Sequence, residues 1–109
     1  MLSLSENNSQ KLVRDNIPAI IKKSDRNVIY RKSKNREEML SLLGQKLIEE
    51  SKEYTQNQET EELADILEVI YTILDLTKTS IDKLQEIRRN KKQIKGGFEK
   101  GFILLSIND

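Results

Sequence analysis

Read from its N-terminal end, the chain opens with a polar stretch, Met1 to Gln10, and then alternates short apolar runs with long charged ones. Asp15, Asn16 and Pro18 form a helix-start signal, with Pro18 in the first turn, where its missing N–H does no harm. Ile17, Ile20 and Ile21 give that short helix an apolar face, and it is predicted to fade between Ser24 and Asn27. Val28, Ile29 and Tyr30 are β-branched or aromatic and are bounded by polar residues, which predicts one brief strand. Asn35, with Glu38 three residues on, resembles a capping box and is predicted to open a long helix. Within it Leu40, Leu43, Leu47, Glu50 and Tyr54 recur at spacings of three and four and so share one face. Gln56, Asn57 and Gln58 interrupt the pattern. A second long helix is predicted from about Glu59 to Lys78. Ser80 and Asp82 cap a further helix running to about Gln93, with Ile81, Leu84 and Ile87 as its apolar face. Gly96 and Gly97 end it. Phe98 and the run Phe102 to Leu105 then predict a terminal strand, placed to pair with Val28 to Tyr30 as a two-stranded β-ribbon.

These elements predict a mainly α fold built on an antiparallel helical hairpin. Ten of the fourteen residues from Leu63 to Leu76 are apolar, leaving Asp65, Glu68, Thr72 and Asp75 as a polar stripe. A helix apolar around so much of its circumference needs more cover than one partner helix supplies. The expected remedy is a homodimer, or a higher homo-oligomer, in which two hairpins complete a four-helix bundle. The 109 residues are expected to form a polar tail, residues 1–10, and one domain, residues 11–109. The start lacks the basic and apolar regions of a signal peptide, and no apolar run approaches the roughly 18 residues of a membrane span. A cytoplasmic protein without membrane association is the expectation.

Composition narrows the chemistry. The chain has neither cysteine nor histidine, which excludes disulfides, thiol nucleophiles, imidazole-bound zinc and a Ser-His-Asp triad. Catalysis here must use carboxylates, lysine, arginine, tyrosine, hydroxyls or oxygen-bound metals. The net charge of +1 gives no reason to expect specific nucleic-acid binding. It hides a segregation along the chain. Nine basic residues against two acidic ones give +7 from Lys11 to Arg36, and one against eight gives −7 from Glu49 to Glu68. Seven against three give +4 from Asp82 to Lys100. An acidic centre concentrates divalent cations and basic flanks attract phosphates, so a metal–phosphate complex suits both; charge pairing within a helical bundle explains the same pattern.

The candidate chemistry lies in Glu49-Glu50-x-x-Glu53 and Glu62-x-x-Asp65. Residues three apart on a helix point the same way, so Glu50 pairs with Glu53 and Glu62 with Asp65. An antiparallel hairpin brings the two pairs face to face near its turn. Hard oxygen ligands without imidazole or thiolate suit Mg²⁺ or Mn²⁺. Glu50 lies on the apolar stripe between Leu47 and Tyr54, and Glu62 lies in line with Ile66, Val69 and Ile73. A carboxylate on a core-facing stripe is costly to bury unpaired. The same residues also read as a solvated acidic helix pair, since Glu-rich helices are common.

At these residues the sequence resembles the MazG-like all-α nucleoside triphosphate pyrophosphohydrolases, the superfamily that includes phosphoribosyl-ATP pyrophosphohydrolase. Lys11 to Pro18 (KLVRDNIP), Glu61 to Tyr71 (EELADILEVIY) and Gly96 to Gly101 (GGFEKG) extend the resemblance over most of the domain in matching order. The resemblance implies hydrolysis of a nucleotide between its α and β phosphates, giving a monophosphate and pyrophosphate. It implies Mg²⁺, or Mn²⁺, held by Glu50, Glu53, Glu62 and Asp65, with Glu49 and Glu50 in catalytic roles and Glu49 orienting or deprotonating the attacking water. For the phosphate tail the expected contacts are Lys11, Arg14, Lys92, Lys95 and Lys100. Clearance of aberrant nucleotides is the general expectation for the superfamily, and phosphoribosyl-ATP hydrolysis in histidine synthesis is the alternative substrate. A non-catalytic helical interaction module is the competing reading. Tyr54 and Tyr71 are candidates for a base pocket, with core packing the plainer role for both.

Overall fold

The computed structural model describes residues 10–108. Four helices follow one another: α1, Ile17–Lys23; α2, Arg36–Asn57; α3, Thr60–Thr77; and α4, Ile81–Lys95. The local signals act as their chemistry requires. The Asn35 side chain accepts a hydrogen bond from the Glu38 amide at 2.8 Å, which satisfies one of the unpaired N–H groups at the start of α2. The return half of the capping box is displaced. Glu38 turns away from the Asn35 amide to accept from the Lys34 amide at 2.7 Å and from Arg31 at 2.7 and 3.0 Å, which ties the preceding loop to the helix. Gln58 stops α2 in the left-handed conformation, φ 55°, with its N–H donating to the Tyr54 carbonyl. Lys78 ends α3 in the same way, and the Ser80 hydroxyl accepts from the Lys83 amide at 3.0 Å to open α4. Asn16 precedes α1 without a side-chain cap, and α1 buries no residue.

The two-residue connection Gln58-Glu59 leaves α3 no course but back along α2. Among the described residues this hairpin is the one extensive helix–helix packing. Leu43, 2% exposed, with Val69 and Leu74, forms the buried apolar core, and Glu50 is buried with them at 7%. The predicted stripe of Leu40, Leu43, Leu47, Glu50 and Tyr54 does face inward, none of the five being exposed.

One expectation fails. No strand forms among the described residues, so the predicted β-ribbon is absent. Val28 to Tyr30 is too short to hold a ladder alone, and Ile29 and Tyr30 stand exposed with no strand opposite them. The second predicted strand, Phe102 to Leu105, has no regular secondary structure and faces solvent. One chain by itself is not compact. Its Cα radius of gyration is 18.4 Å, with extents of 60 × 32 × 28 Å, against roughly 13 Å for a compact chain of this length.

Two measurements check this picture. Leu43→Ala should lower unfolding free energy by about 2–5 kcal/mol, while Ile29→Ala should change it by less than about 0.5 kcal/mol, both by denaturant titration. The Arg31 guanidinium, helped by the Lys34 amide, holds the Glu38 carboxyl down to about 2. Its contribution to stability is therefore present above the ordinary carboxylate range and lost as pH falls from there toward 2. Glu38→Gln should flatten the acid limb of a stability–pH profile over that interval.

Candidate functional site

The site is set by register. Glu50 sits two turns before the end of α2, and Glu62 and Asp65 occupy the first turns of α3, so the short connection brings them together. One carboxylate oxygen from each of Glu50, Glu62 and Asp65 lies within 4.8 Å of the other two. An ion about 2.1 Å from each ligand spans oxygens up to about 4.2 Å apart, so this trio fits a hard divalent cation with small side-chain adjustment.

Each member of the trio is held by a different donor. Arg14 Nη2 lies 2.6 Å from Asp65 Oδ1, Lys46 Nζ lies 3.4 Å from Glu50 Oε2, and Asn57 Nδ2 donates to Glu62 Oε2 at 3.0 Å. Burial pushes the Glu50 carboxyl up from its ordinary value, Lys46 pulls against that, and the negative charges of Asp65 and Glu53 add to the rise. Glu49, one residue earlier, is shared between Lys11 at 3.2 Å and Lys46 at 3.3 Å. The segment before α1 thus lies across the hairpin, fastened at both ends by ion pairs, Lys11 to Glu49 and Arg14 to Asp65.

Beneath that segment lies a cavity of about 280 Å³. Leu12, Val13, Met39, Leu43 and Val69 give it an apolar wall, while Arg14, Lys46, Glu50, Asp65 and Glu68 give it a charged one. This combination, apolar with a few convergent charged groups, is that of a small-molecule site.

The structure gathers some of the expected residues and separates others. Glu50, Glu62 and Asp65 converge, with Glu49, Lys11 and Arg14 around them. Glu53 stays exposed outside the trio, one turn nearer the hairpin end, and acts on Glu50 only through its charge. Lys92, Lys95 and Lys100 belong to the C-terminal third. Lys92 pairs with Glu99 at 3.8 Å and Lys100 lies 6.0 Å from the centre of the Phe102 ring, and none of the three lines the cavity. Tyr54 and Tyr71 do not line it either. Two participants were not anticipated, Lys46 and Asn57. Lys46 was open to detection, since it precedes Glu49 by three residues and Glu50 by four, the spacing of helical ion pairs. Asn57 carried no such signal, because its reach to Glu62 is created by the turn itself.

Comparison of the chain with protein-family models, curated proteins and solved structures finds no match in any of the three.

Removing Lys46 leaves a buried carboxylate without its cation. Lys46→Met should therefore lower unfolding free energy by about 1–3 kcal/mol at neutral pH. Because Glu50 already binds its proton more tightly than an ordinary carboxyl, the loss should shrink as acid protonates it. Denaturant titrations at several pH values check both parts, and Glu50→Gln in the same background should recover most of the loss.

Proposed function

We propose that the protein is a Mg²⁺-dependent nucleotide pyrophosphohydrolase, cleaving a nucleoside triphosphate between its α and β phosphates to release a monophosphate and pyrophosphate. The observation that carries this reading is the convergence of Glu50, Glu62 and Asp65, two of which, Glu50 and Asp65, line a cavity with both charged and apolar lining. The order and spacing of these carboxylates, together with the KLVRDNIP and GGFEKG segments, support it by their resemblance to MazG-like pyrophosphohydrolases.

In this reading Glu50, Glu62 and Asp65 hold the cation, with Glu53 near enough to add its charge. Bound there, Mg²⁺ supplies charge neutralisation at the phosphate oxygens and lowers the pKa of a coordinated water. The rest is the work of the chain. Glu49 orients the attacking water and takes its proton. Arg14 and Lys11 serve the phosphate tail, where the guanidinium offers a two-pronged hydrogen bond and the ammonium a point charge. Leu12, Val13 and Met39 exclude water on the apolar side, where the base rests. A second copy of the chain covers the apolar circumference of α3 about Leu63 and Ile70, giving a homodimer with four central helices. Among the described residues no helix is long and apolar enough to cross a membrane.

The test is a pyrophosphate-release screen with Mg²⁺ over standard, deoxy and modified nucleoside triphosphates and phosphoribosyl-ATP. Pyrophosphate, and not orthophosphate, should appear with at least one of them. Asp65→Asn should reduce kcat at least about 100-fold, and Arg14→Ala should act mainly on KM, by about 10-fold. If the whole panel yields no pyrophosphate, the catalytic reading falls.

A further inference from the structure

Among the described residues, those after α4 include a run of large apolar side chains that nothing covers. Phe98, Phe102, Ile103, Leu104, Leu105 and Ile107 are each between 78% and 97% exposed, and Ile94 at the end of α4 is exposed with them. Gly96, at φ 88°, turns the chain out of the helix, and the segment runs on without regular structure or a strand partner. Six large side chains of this kind carry roughly 800 Å² or more, the area one partner contributes to a stable interface and more than soluble monomers usually leave open. The chain's own hairpin does not receive them, for α4 makes no extensive contact with α2 or α3.

A surface that fits is present on every copy. On the flank of α3, Leu67 and Tyr71 stand one turn apart, 46% and 40% exposed, beside the exposed acidic residues Glu68 and Asp75. Lys100 lies between Phe98 and Phe102 in this segment and Lys95 ends α4 just before it, and the stretch from Asp82 to Lys100 is net +4 against −7 from Glu49 to Glu68. We propose that residues 97–108 form an exchanged arm, which packs Phe98, Phe102 and Leu104 on the Leu67–Tyr71 flank of a second copy while Lys100 faces the acidic edge formed by Glu68 and Asp75. Two copies offer two arms and two flanks, so the exchange is reciprocal and closes as a dimer with no surface left to propagate. The inference presupposes the dimer proposed above and specifies which parts of it meet.

The chain contains no tryptophan, so an indole placed in the arm reports alone. In Phe102→Trp, emission should be blue-shifted at concentrations where sedimentation shows a dimer, and should move to that of a solvent-exposed indole as dilution produces monomer. Phe102→Asp should weaken dimerisation about 10- to 100-fold, the effect of losing one buried aromatic anchor, while leaving helix content unchanged. Three outcomes overturn the proposal. A dimer whose indole is solvent-exposed shows that the arm is not in the interface, although the dimer itself stands. A blue shift that persists in the monomer shows that the same chain covers the arm. A monomer at all concentrations removes both the arm exchange and the dimer.

Discussion

The return of α3 along α2 across a two-residue connection is the constraint on which the rest depends. It forms the small core of Leu43, Val69 and Leu74, and in the same step it buries Glu50 against Lys46 and brings Glu62 and Asp65 opposite. Placing a carboxylate inside the chain's thin core is unfavourable, and burial shifts Glu50 toward its protonated form. Apolar replacement at that position would suit packing better. The acidic side chain makes sense as part of a site that holds cations, with Arg14 and Lys46 balancing it in their absence.

The charge segregation takes its meaning from the same hairpin. The basic segment before α1 lies over the acidic end of the hairpin and is fixed there by Lys11 and Arg14, so the first two charge blocks meet within one chain. The third block does not. The basic C-terminal third stands away from the hairpin and takes a run of exposed apolar residues, Phe98 to Ile107, with it. One chain therefore has a formed acidic centre, a basic strap over it, and an apolar arm unused by its own fold. The 18.4 Å radius of gyration expresses the same incompleteness.

Where information was local, the sequence was legible. Helix starts at Asn35 and Ser80, the stop at Gln58, and the inward stripe of α2 follow from side-chain chemistry and the helical period, and each is found in the structure. The carboxylate pairs were legible because a short turn between two helices admits few geometries. What depended on distant partners was not. Val28 to Tyr30 has the composition of a strand, yet a strand needs a neighbour, and the segment expected to supply one forms no strand. Glu53 shares a helix face with Glu50 on spacing alone, yet its side chain stays exposed and outside the trio of Glu50, Glu62 and Asp65. The distance from α4 to the hairpin, which keeps Lys92, Lys95 and Lys100 from the site within one chain, had no signature in the order of residues.

The central claim is that Glu50, Glu62 and Asp65 form a divalent-cation site. Titration of the metal-free chain with Mn²⁺, following free Mn²⁺ by electron paramagnetic resonance, tests it without reference to substrate or turnover. The account requires saturable Mn²⁺ binding that Mg²⁺ displaces and that Asp65→Asn or Glu62→Gln weakens by at least about 10-fold. Mn²⁺ binding that is absent, or that is the same in the wild-type chain and both variants, would contradict it.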